Sequence, residues 1–88
     1  MRGARIEKIV LADDKEYQLA PLTLSRLCEV EDILGMPFEK ALAGKTMRLM
    51  RIVLYVRLKV HHPELTEEQV GELVTSKIIG RAKAILGG

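Results

Sequence analysis

The sequence predicts a mainly helical α+β fold in which a short N-terminal β-hairpin packs on a bundle of three to five helices. Three observations carry this expectation. Apolar residues alternate at strand spacing near the N-terminus, helix start and stop residues then recur along the chain, and the later apolar positions repeat at helical spacing. At 88 residues there is room for a single domain, residues 1–88. A chain of this size buries only roughly 60 to 65% of its unfolded surface.

The hairpin is expected over about residues 5–19. Ile6, Ile9, Val10 and Leu11 supply one strand and Tyr17 and Leu19 the other, with Ala12-Asp13-Asp14-Lys15 as turn-forming residues between them. Two strands alone are marginal in water, so a helix has to pack on them. After Ala20-Pro21-Leu22, Thr23 can cap a helix over 24–34, with Gly35 as its stop and Pro37 just beyond. Leu24, Leu27, Cys28 and Leu34, with Val30 beside them, are its expected buried face, and Cys28 reads as a small core residue. A short helix over 37–43 follows, ended by Gly44, with Phe38 closing the core in preference to Met36-Pro37-Phe38 acting as an exposed anchor.

Residues 46–61 admit two readings, because Leu54 to Val60 alternates in a way that also suits a strand. Length decides for a helix, with Thr46 as its cap. At 3.6 residues per turn Arg48, Arg51, Tyr55, Lys59 and His62 form a narrow polar stripe. The remaining circumference, from Met47 to Val60, is apolar except for Arg57, so this helix should be central. Pro63 lacks an amide hydrogen and disfavours helical angles at His62, which stops the element. Thr66 and Gln69 then form a capping box, and Glu67 and Glu68 suit the N-terminal dipole. Helical register continues over 67–86, Gly71 and Gly80 each weakening it by roughly 1 kcal/mol. A break near 75–76, at Thr75-Ser76, fits the pattern as well as one continuous helix does.

Composition narrows the function. Hydrophobic content is 48%, yet Phe38, Tyr17 and Tyr55 are the only aromatic residues, which argues against base stacking or sugar binding. The net charge of +2 is too small to imply a polyanionic partner. The charges are segregated in blocks, however, which invites complementary contacts between elements or between copies. The single cysteine, the lack of a basic-then-apolar leader, and the lack of an apolar run near the ~18 residues of a membrane span lead us to expect a soluble protein of the cytoplasm.

Chemical motifs are sparse. His61 and His62 are the only histidines, and as immediate neighbours they diverge on a helix without further ligands to complete a zinc site. The carboxylates of Glu29, Glu31, Asp32, Glu67 and Glu68 read as a solvated face, since nothing positions a nucleophile beside them. Glycines follow neither dinucleotide nor P-loop spacing. We therefore expect no catalytic residue, metal or cofactor. Arg48, Arg51 and Lys59 could contact phosphates, as in a small nucleic-acid-binding regulator, but an amphipathic helix with its charged side in water is the preferred reading. The terminal Gly87-Gly88 is similar to the end of ubiquitin-like sulfur carriers, although such a fold needs strands where this sequence reads as helix.

The run E-Y-Q-L-A-P-L-T-L-S-R-L at 16–27, the Gly-terminated helix, the apolar-basic stretch Leu49 to Val60 and H-P-E-L-T-E-E-Q-V at 62–70 together resemble the small tail assembly chaperones of long-tailed, siphovirus-like phages and prophages. The resemblance spans nearly the whole chain. It implies a mostly helical, non-enzymatic protein of the bacterial host cytoplasm that binds the tape measure protein and helps recruit tail-tube subunits. It also implies that a longer frameshifted form is often made. On this reading partner contacts come from Met47, Arg48, Met50, Arg51 and Leu54 on one helix and from Val70, Leu73 and Ile78 on the next, with self-association along the partner.

Overall fold

Three threonines start helices in this chain, and each does so by the same local chemistry. In the computed structural model, which describes residues 7–44 and 46–87 with side chains through Arg81, Thr23, Thr46 and Thr66 are extended and accept from the backbone N–H three residues on. The described elements are β1 (Glu7–Val10), β2 (Glu16–Leu19), α1 (Leu24–Leu34), α2 (Phe38–Gly44), α3 (Met47–Leu58), α4 (Glu67–Leu73) and α5 (Ser76–Gly87). The expected α+β fold, a hairpin on a helical bundle, is the one observed. Residues 5 and 6 of the expected hairpin, and the side chains beyond Arg81 of the helical register expected over 67–86, lie outside the described residues.

β1 and β2 pair antiparallel with Ile9 opposite Tyr17 and Glu7 opposite Leu19. Strand alternation puts Ile9, Tyr17 and Leu19 inward, and Leu11 joins them from the turn. Val10 faces out, 39% exposed. In the turn Asp14 adopts φ 63°, a left-handed conformation that Asp tolerates better than most residues. Asp13 Oδ1 accepts from the Lys15 amide at 3.1 Å, and its other oxygen accepts from the Tyr17 hydroxyl.

α1 ends on Gly35 at φ 77°, whose N–H donates to Glu31 O. The Glu31 carboxylate in turn accepts from the Phe38 amide at 2.7 Å, so α1 lends a cap to α2. Phe38 is half-buried and packs on the core.

α3 is the centre of the molecule, and it buries two faces at once. Leu49, Ile52, Val53 and Val56 meet Val30, Leu34 and Ala41 from α1 and α2. Met50, Leu54 and Leu58 meet the hairpin, Leu65 and Val70. Arg57, the apolar face's one polar residue, is 4% exposed. Its Nε donates to Ala20 O at 2.7 Å, its guanidinium pairs with Glu7, and its own carbonyl accepts from the Ala20 amide at 3.0 Å. Among the described residues no buried side-chain polar atom lacks a partner.

The structure corrects several expectations. α3 ends at Leu58, before His61, and a tight turn carries the chain to Pro63. That turn brings His62 Nε2 to 3.1 Å from the Gln18 amide, which donates to it, and sets the imidazole edge-on to Tyr17 at 4.9 Å. Of the two readings left open for the C-terminal stretch, the broken one is observed, as two helices. Val74 is extended (φ −105°, ψ 102°), and the Thr75 carbonyl accepts from Ile78 and Ile79 to start α5. Leu24 and Cys28 are exposed, the former at 78%. α1 packs chiefly on α3 and α2, so its inward face is the narrower one of buried Val30 and Leu34 with half-buried Leu27 and Ile33, and Leu24 and Cys28 turn away from it. Met47 and Val60 are also exposed, one in the first turn of α3 and the other past its end.

Candidate functional site

α3 and α4 leave a groove between them of about 480 Å³, and its composition follows from their registers. Met47, Met50, Arg51 and Leu54 recur at three- and four-residue steps, so one face of α3 lines it. Glu68 and Glu72, four residues apart, and Gly71 line it from α4, and Val74 and Ile79 close it where α4 gives way to α5. Met50, Leu54 and Val70 are buried and form the floor. Met47, half exposed, stands at the mouth.

The charges are sorted across this groove. Arg48 and Arg51 belong to the α3 side and Glu68 and Glu72 to the α4 side. Arg51 crosses over to Glu67, with Nε at 3.0 Å and a terminal nitrogen at 2.9 Å from the same carboxylate oxygen. Gly71 makes this crossing feasible. A Cβ there would stand 2.9 Å from Arg51 Cδ, closer than real carbon atoms approach. Arg48 reaches the Ile33 carbonyl at 3.4 Å, a long contact.

Six of the eight residues expected to bind a partner, namely Met47, Arg48, Met50, Arg51, Leu54 and Val70, therefore meet at one groove. Leu73 lines a separate cleft beside Asp13, Tyr17 and Leu65, and Ile78 lines a third between the hairpin turn and α5. Sequence reasoning missed Glu68, Gly71, Glu72, Val74 and Ile79 as groove residues. Glu68, Gly71 and Glu72 carried a signal in their i, i+3, i+4 spacing. Val74 and Ile79 carried none, since both depend on the bend at Val74 and Thr75.

Several polar groups elsewhere are engaged in the fold. Lys59 pairs with Glu29 and lies 5.5 Å from the Tyr55 ring centre, and His62 Nδ1 is 3.9 Å from Glu64. The Tyr17 hydroxyl bond holds the Asp13 carboxyl below its ordinary value, and the same bond to Asp13, with burial second, pushes Tyr17 up to about 12. Among the described residues no group of three His, Cys, Asp or Glu side chains could hold a metal ion, and no helix is long and apolar enough to cross a membrane. Compared with protein-family models, curated proteins and solved structures, the chain matches none.

Proposed function

We propose that this protein is a non-enzymatic assembly chaperone of a long-tailed phage or prophage, working in the bacterial cytoplasm by binding the tape measure protein and helping to recruit tail-tube subunits. The observation that carries this reading is the α3–α4 groove, which gathers an apolar floor and exposed charges on one side of a small helical domain. Methionines at its floor and mouth suit a surface that adapts to successive stretches of one long helical partner. The exposed Leu24 on α1, away from the groove residues, offers a second apolar contact for copies arranged along that partner.

A nucleic-acid-binding role has weaker support, because Arg51, Arg57 and Lys59 pair with Glu67, Glu7 and Glu29. A sulfur-carrier role is also weaker, because α5 runs through Gly87 where such a carrier needs an extended tail.

The test is co-expression with a tape measure fragment followed by size-exclusion chromatography. Co-elution and a more soluble fragment are expected. Separate elution at micromolar concentration, with the fragment no more soluble than alone, would count against the proposal.

A further inference from the structure

The two rims of the groove differ in sign, basic on α3 through Arg48 and acidic on α4 through Glu68 and Glu72. We infer that the groove receives one amphipathic helix of a partner protein whose apolar face is flanked by acidic residues on one side and basic residues on the other, and that the opposed rims fix the direction in which this helix lies. The inference rests on the reading of the groove as the docking site.

A volume of about 480 Å³ is too small for a whole helix. A partner helix must therefore lie along the mouth and insert only aliphatic anchors at i, i+3 and i+4. Its flanks then face the rims. Turning a helix end for end exchanges its two flanks, so rims of like charge would accept both directions equally. Opposite rims accept one, because the reverse puts acid against Glu68 and Glu72 and base against Arg48.

Three of the chain's own longer helices are poorer occupants. α3 has both apolar faces in the core. α5 carries Lys77, Arg81 and Lys83 and no carboxylate, so a second copy's α5 could satisfy only the acidic rim. The outward side of α1 presents Leu24 and Cys28, but its Glu29 pairs with Lys59. A foreign helix with both signs on its flanks fits where these do not.

Three synthetic helical peptides of about 18 residues test this. They share one leucine face and differ only in flanks, which are Glu and Lys, Glu and Glu, or Lys and Lys. Fluorescence anisotropy against the full chain at low salt should rank the mixed peptide first by about tenfold, since each single-sign peptide meets one repelling rim. Amide shift changes on binding should centre on Met47 to Leu54 and Glu68 to Val74. With Arg51 paired to Glu67, Arg48→Glu leaves a carboxylate as the unpaired charge of the α3 rim and should move the Lys and Lys peptide to first place.

No binding by any peptide, equal binding by all three, an unchanged ranking in Arg48→Glu, or shift changes away from the groove would overturn the inference. So would concentration-dependent changes at the groove in the protein alone, which would make a second copy the occupant. Tape measure capture without peptide ranking would sink this inference only. Ranking without capture would sink the tail-assembly reading only.

Discussion

Arg57 shows how a single polar residue on an apolar face can hold a fold together. It anchors the β2–α1 link through Ala20 and β1 through Glu7, and its guanidinium donates in two directions that an ammonium cannot reproduce. Arg57→Ala strands the Ala20 carbonyl and removes a buried stem, which should lower stability by about 2 to 3 kcal/mol. Arg57→Lys should recover less than half of that loss in urea denaturation, whereas full recovery would show that charge alone matters. The Tyr17–Asp13 bond makes a prediction about pH. Tyr17 titrates near 12 in the folded chain against 10.0 ordinarily, so its contribution is intact below pH 10 and fades as pH rises through about 12. Asp13 is held below its ordinary value, so its contribution is present at neutral pH and fades as acid protonates the carboxylate. In a Tyr55→Phe background, Asp13→Ala should bring the spectrophotometric titration of Tyr17 down toward 10. An unmoved titration would mean that burial, and not the bond, raises Tyr17.

At the scale of elements, two helical glycines that look alike in the sequence have opposite roles. Gly80 has nothing within 4 Å of where a Cβ would stand. Gly80→Ala should therefore stabilise the protein by about 0.5 to 1 kcal/mol, through helix propensity alone. At Gly71 the same gain is opposed by Arg51, whose stem must shift and whose pair with Glu67 must stretch. Gly71→Ala should raise the melting temperature less than Gly80→Ala does, or lower it, and should loosen α4 as read by amide exchange. Equal stabilisation by both would show that the Arg51 crossing is freely rearranged. The boundary between α3 and α4 has a similar lesson. Pro63 forces the stop and Thr66 the restart, but the turn between them also carries His62 to the edge of β2 at Gln18, a bond across 44 residues of sequence.

The whole molecule is two apolar clusters on the two sides of one helix. Because α3 supplies residues to both, neither side can lose its packing without exposing the other. Ile52→Val on the α1 side and Ile9→Val on the hairpin side should each cost about 1 kcal/mol. Both should shift one shared unfolding transition, seen identically by circular dichroism and tyrosine fluorescence. Separate transitions would mean that the hairpin side folds by itself. The chain's local signals set its elements, and they were legible because each acts within a few residues. Thr23, Thr46 and Thr66 cap helices, Gly35 ends one, and Asp13 and Asp14 turn the hairpin. Two-sided burial of α3 could also be read from its composition, and so could most of the residues that meet at the groove. What only tertiary structure decided was which apolar residues face inward, as Leu24, Cys28 and Met47 do not, and what Arg57 reaches. It also decided that the C-terminal stretch bends at Val74, bringing Ile79 to the groove. These outcomes depend on partners far away in the chain, whose positions no local pattern encodes.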